Sequence, residues 1–447
     1  MTSHQSTQKS ASWLLHSACV GMLVFLSGQL TARTHGADDT ADPYDTLYDV
    51  IMTRYGPDGK AYGSNESSPS IFKESEFPFD DRTYRKLNAA LDEFAALSQE
   101  KIEAYSDIQR ALMQRHLWHV FDATIPFRWI ADRSGEYIWG MSHADRRAAV
   151  RPKVALRIKR LALTKAQILA LPDTRAVTVE SGSFTRHHDS EDAFKPFLAA
   201  DLYSKESSWV GIDFGEDPPA PFHQNKLRFR SAFLTFMRLP GGRVATLDYV
   251  KKGSRQKGDA KQFSVGTQFA LIEQAFLISD EAEMILSPLI VSISLRAYLN
   301  VERSASKSGR EPTQSVAEFV MQPRQLMRGD AVMKAFGPSE IRFAAGDVDI
   351  HGEAVEPFED VPDVFFREDQ NDMLRKPRLK LCMSCHKSRG RRGVMGGSIS
   401  DVKESSVKEI VNVTLAHKRD HETWKALSKL WQAESKKQVT RKIGSAQ

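Results

Sequence analysis

Leu234-Thr235-Phe236-Met237-Arg238-Leu239, then Pro240-Gly241-Gly242, then Arg243-Val244-Ala245-Thr246-Leu247: at this stretch the hydrophobic pattern of the 447-residue chain changes period. Two runs of β-favouring residues flank a Pro-Gly-Gly breaker, which predicts an antiparallel hairpin. Upstream the period is helical. Between Asp81 and Phe121, the residues Leu87, Leu91, Phe94, Leu97, Ile102, Ile108, Leu112, Leu117 and Phe121 recur mostly every three to five positions. That spacing gives amphipathic helices with one inward stripe. A second helical piece, Leu163 to Leu171, stops at Pro172. Downstream, Met284 to Leu295 is rich in Ile and Val and reads as a buried strand pair or core element. It falls short of the roughly 20 apolar residues that cross a bilayer. Polar loops at 251–261 and 302–314 separate these pieces, and no repeat of fixed period is present.

A body of about residues 38–355 is therefore expected to be α+β, helices first and antiparallel strands after. It contains no P-loop, GxGxxG, GxSxG or HExxH pattern, so its own activity has no sequence signature. Hydrophobic residues at 41% and charged residues at 27% are those of a globular chain with a sizeable core, and they exclude a multi-span membrane protein.

Only three cysteines are present, and Cys382-Met383-Ser384-Cys385-His386 takes two of them. Two cysteines three apart can set their sulfurs over the two vinyl groups of one porphyrin. A histidine directly after them can turn under the ring to ligate iron. A zinc site fits poorly, because Cys385 and His386 project from adjacent positions and rarely reach one tetrahedral ion together. A thioredoxin-like dithiol wants its CxxC at the end of a strand that opens a helix, and Arg375-Lys376-Pro377-Arg378-Leu379-Lys380-Leu381 is a weak strand. A plain disulfide across two residues would close a very small ring.

At this pentapeptide the chain resembles the c-type cytochromes, and the resemblance covers only about the last 85 residues. It implies one heme c, held by thioethers to Cys382 and Cys385 with His386 as proximal ligand, in a small, mainly α-helical, cytochrome c-like module over residues 356–447. The chain departs from that family in its distal ligand. Met395, the only methionine after the motif, follows His386 by just nine residues. A long helix expected from about Ser405 to Lys436 carries His417 and His421 on a stripe with Ile410, Val413, Trp424, Leu427 and Trp431. These two histidines are the candidate distal ligands, with His417 nearer the centre of the stripe. Arg389, Arg391 and Arg392 either pair with the heme propionates or form a solvated loop. The pairs His116/His119 and His187/His188 read as ordinary core or surface histidines.

Residues 1–37 read as a signal peptide: Lys9 in a polar start, an apolar stretch from Leu14 to Leu30, and small residues at Ala32 and Ala37. An uncleaved N-terminal anchor is the alternative and the only membrane contact expected. Export to the periplasm or cell envelope suits covalent heme attachment, and removal of Cys19 with the signal leaves just the motif cysteines. The net charge of +5 is uneven. Residues 371–447 hold eighteen Lys or Arg against seven Asp or Glu, an excess of +11, which leaves −6 on the first 370. A basic tail on an acidic body suits a redox partner with an acidic docking surface, and no nucleic-acid partner is expected. Three functions follow from these features: a one-electron carrier, a heme oxidoreductase with an open iron site, or an envelope binding or scaffold protein in which heme is incidental.

Overall fold

The structure is a computed structural model that describes residues 42–52, 54–55, 61–62, 79–131, 135–139, 143–189, 191–192, 195–213, 220, 223–224, 228–253, 264–299, 314–336 and 402–444. The expected cleavage site, both expected domain boundaries and the Cys382–His386 motif lie outside these residues.

Helices come first. α1 (Pro43–Met52) is followed by a two-residue pair, β1 (Arg54–Tyr55) with β2 (Ala61–Tyr62). The stretch expected to be helical then divides into α2 (Asp81–Ala96), α3 (Gln99–Glu103) and α4 (Asp107–Ala123). The divisions follow capping chemistry. Ser98 and Ser106 each accept an amide of the next helix's first turn, and Ser106 with Gln109 forms a full capping box. A small hairpin, β3 (Phe127–Ala131) with β4 (Gly135–Trp139), precedes α5 (Ala144–Arg160), α6 (Lys165–Leu169) and α7 (Thr174–Glu180).

The strands come after, as expected: β5 (Val210–Asp213), β6 (Ser231–Arg238), β7 (Gln268–Ile278), β8 (Met284–Tyr298), β9 (Gln314–Val320), β10 (Lys334–Phe336) and β11 (Lys403–Glu404). They form one antiparallel sheet in the order β10-β9-β8-β7-β6-β5-β11. Met284 to Leu295 belongs to one long strand, β8, and not to a strand pair. The predicted hairpin at Pro240 is absent. After β6 the chain turns at Gly242 (φ +77°) straight into α8 (Gly242–Gly253). The Thr246 hydroxyl accepts the Leu239 amide and donates to the Gly242 carbonyl, which fixes that turn. β6 pairs instead with β7. A short helix, α9 (Pro323–Met327), links β9 to β10.

One face of the sheet (Ala232, Leu234, Phe236, Ala270, Ile272, Ile293, Leu295, Phe319) joins the main core, together with Leu87, Leu91, Phe94, Trp118, Phe121 and Val154 from the helices. The C-terminal segment ends in two helices, α10 (Val407–Asp420) and α11 (Glu422–Gly444), not in one long helix. Ile410, Leu427 and Trp431 are buried in the same main core. The described residues from Asp42 on belong to one compact unit.

Candidate functional site: a charged cluster beneath the C-terminal helices

Cys382, Cys385 and His386 lie outside the described residues, as do Met395, Arg389, Arg391 and Arg392. His417 and His421 are described, and they meet a cluster that no sequence pattern announced.

The inward edge of α10 is Ile410, Thr414 and Lys418, spaced four apart, with Lys418 wholly buried. Its ammonium donates to the Asp122 carboxylate (Oδ2, 3.2 Å) and to the Thr423 hydroxyl (2.9 Å), and it lies 5.0 Å over the Trp118 ring. Burial pushes its pKa down to about 8, against the pull of Asp122. His417 is half-buried, one position off this edge, with its ring stacked on Phe229 (5.4 Å, 13°). His421 is where α10 ends, its backbone extended. Its Nδ1 accepts the Thr423 amide (3.2 Å) and faces the Thr423 hydroxyl (2.9 Å), so it caps the first turn of α11. Because Nδ1 accepts an amide hydrogen, the ring proton of neutral His421 is assigned to Nε2. Burial and the Lys418 charge press this imidazole down to about 4.

Asp122 binds a second cation, Arg230, at 2.6 Å. Burial alone would raise the Asp122 carboxyl, but Lys418, Arg230 and Arg228 outweigh it and hold it below its usual range. Arg230 also donates to His119 Nδ1 at 2.7 Å, so that nitrogen is unprotonated. Burial, then Arg230 and Arg228, holds His119 well below the usual imidazole range. One turn back, Arg115 pairs with Glu273 at 2.9 Å and with Ser231 at 3.2 Å. His116 is fully buried edge-on to Tyr48, and neither ring nitrogen meets a hydrogen-bond partner among the described residues. Burial pushes it to about 3.

Cations outnumber carboxylates here because α4 ends here. The last carbonyls of a helix have no partner within it and form the negative end of its dipole. Arg228 donates to the carbonyls of Asp122 and Ile125, Arg147 to that of Ala123, and Arg151 to that of Thr124 (2.6 Å). These guanidinium groups are answered by the helix end. Arg228, pushed down to about 10 by burial, and Phe229 both adopt left-handed backbone (φ +47° and +59°), a strained pair at the centre of the contact with α10.

A hydroxyl held between an ammonium and an imidazole has the parts of an activated nucleophile. Thr423 is 0% exposed, however, and its groups are used in starting α11, so no substrate reaches it. Among the described residues no three His, Cys, Asp or Glu side chains converge as a metal set, and no helix is long and apolar enough to cross a membrane.

Neither family models, nor curated proteins, nor solved structures match the chain.

One feature of the sequence is compatible with this cluster. In α4, polar residues at Arg110, Gln114, Arg115, His119 and Asp122 trace a stripe that reads as a solvated face, yet every residue from Arg110 to Ala123 is buried. A polar stripe on a helix capped at its start and followed by arginine-rich α5 is also what a buried ionic network requires.

Proposed function

We propose that the chain is an exported protein that carries one heme c and transfers single electrons, with thioethers at Cys382 and Cys385 and His386 as proximal ligand. The observation that supports this reading is the pentapeptide Cys382–His386, which takes both cysteines remaining after a signal peptide is removed. A cytochrome c-like arrangement around it and a site in the periplasm or cell envelope belong to the same proposal. The heme would supply one-electron chemistry, and the chain would anchor and orient it.

Of the two candidate distal ligands, His417 is the better placed. A histidine that binds iron through Nε2 needs its proton on Nδ1, and His421 Nδ1 is the acceptor of the Thr423 amide. His417 takes no part in that cap, and Phe229 orients its ring. The partner would be a redox protein with an acidic surface. Lys408, Arg419, Lys425, Lys429, Lys436 and Lys437 are exposed on α10 and α11, interspersed with Glu409, Asp420 and Glu422.

The test is a spectrum of the oxidised and reduced protein, exported from a host that has the heme-attachment machinery, followed by acid extraction. A reduced heme spectrum that stays with the polypeptide is expected, and it should be lost in the Cys382→Ala, Cys385→Ala double variant. Heme retained covalently by that variant would overturn the proposal. In His417→Ala, a shift from low to high spin with heme still attached is expected; an unchanged spectrum places the sixth ligand elsewhere.

A further inference from the structure

The buried ionic contacts beneath α10 converge on one carboxylate. Asp122 holds Lys418 from the helix pair on one side and Arg230, just ahead of β6, on the other, and Arg230 in turn is held by the lone pair of His119 Nδ1. The other docking contacts include Gln224 with Thr414, the Trp431 indole donating to Ala155, Lys159 with Ser435, Trp424 against Trp118, and the apolar side chains of Ile410, Leu427 and Trp431 with half-buried apolar neighbours on both helices. Phe229, in its strained left-handed conformation, presses on both His417 and His421. The clasp thus has one buried ionic point, beside the left-handed backbone of Arg228 and Phe229.

We propose that His119 is an acid-sensitive catch for the C-terminal helix pair: its protonation breaks the His119–Arg230–Asp122–Lys418 chain and lets α10 and α11 come away from α4 while the sheet stays folded. The geometry carries this. An arginine only donates, so His119 Nδ1 is an acceptor as long as the contact exists. A proton placed there replaces a hydrogen bond by two cations at contact distance. The groups facing His119 leave it no compensation: Arg228 and Arg230 just ahead of β6, and Arg115 and neutral His116 along α4. The nearest carboxylate, Asp122, is already taken by Arg230 and by Lys418 of α10.

The sign follows from the depressed folded-state pKa, which agrees with this geometry. A neutral His119 adds its stabilisation above the ordinary imidazole value of about 6.5, and that stabilisation is lost as pH falls below it and through the folded value. This inference does not depend on heme, since every group in it lies among the described residues.

Hydrogen exchange of the full chain, read peptide by peptide across a pH series and corrected for intrinsic rates, tests it. In the unaltered protein, peptides from 402–444 should lose at least about tenfold of their protection in mildly acid solution, while those from β7 and β8 keep theirs. In His119→Gln, whose amide oxygen still accepts from Arg230 but does not titrate, that loss should move to lower pH or vanish. Two results would overturn the proposal: simultaneous loss in the helix pair and the sheet of the unaltered protein, or a His119→Gln protein whose helix pair opens at the same pH as before. The first needs no variant, so a His119→Gln protein that fails to fold leaves the test intact.

Discussion

Asp122 answers for more charge than any other side chain in the cluster. At 1% exposure it has exchanged water for Lys418 and Arg230, with Arg228 close by. A buried ion pair is a weak net stabiliser, but removing one partner leaves the other desolvated and unmatched. Asp122→Asn should therefore cost about 3 to 5 kcal/mol in urea unfolding at neutral pH. Lys418→Met should cost less than half as much, because the thioether fills the same space, Asp122 keeps Arg230, and an ammonium already pushed towards neutrality is removed. Equal losses would mean that Lys418 and not Asp122 is the keystone. None of this was legible residue by residue. Asp122 and Lys418 are 296 positions apart, and sequence periodicity carries no information about such a pair. In sequence Lys418 is one of the many cations of 371–447, and His116 and His119 read as ordinary core or surface histidines.

At the scale of elements, legibility depended on whether a local rule was decisive. Hydrophobic spacing located the helices but not their starts, which the structure sets at the capping boxes Ser106-x-x-Gln109, Thr164-x-x-Gln167 and Ser406-x-x-Glu409. The helices-first, strands-after order of an α+β fold was readable from the change of period. The failure at Arg243–Leu247 is equally instructive. Five residues of mixed polarity fit both periods, and the helical phase is decided by Thr246 and Val250, four apart and buried, with Val244 left 76% exposed. The long tail helix broke at His421 because its side chain competes as a cap, a choice that hydrophobic spacing does not reveal. The β5–β11 pairing depends on a single absent side chain. A Cβ on Gly211 would stand 2.5 Å from the Ser405 carbonyl oxygen, which is backbone and cannot rotate away. Gly211→Ala should displace β11 at a cost of about 1 to 3 kcal/mol, read as a lower melting temperature with faster proteolysis near residue 403. An unchanged melt would show that β11 yields freely.

For the whole molecule, the sequence suggested a body followed by a separate tail, whereas the described part of the tail, 402–444, contributes a strand and core side chains to the body. No composition shift marks this, since burying Ile410, Leu427 and Trp431 needs only three positions among many lysines. The candidate heme motif can be proposed from sequence alone because its chemistry would be confined to five consecutive residues. The charged cluster was illegible because its members come from α4, the segment leading into β6, β7 and α10.

The order of the sheet carries one more consequence. β10 and β11 are successive described strands, yet they occupy opposite edges, six strand spacings or about 29 Å apart. Any link shorter than about nine extended residues could not join them. The strand and helices of 402–444 meet the body through contacts of their own. Residues 38–336 and 402–447 produced as two polypeptides should associate into a complex that elutes as one species and melts cooperatively. Failure to associate would mean that the connection supplies the effective concentration on which the docking relies.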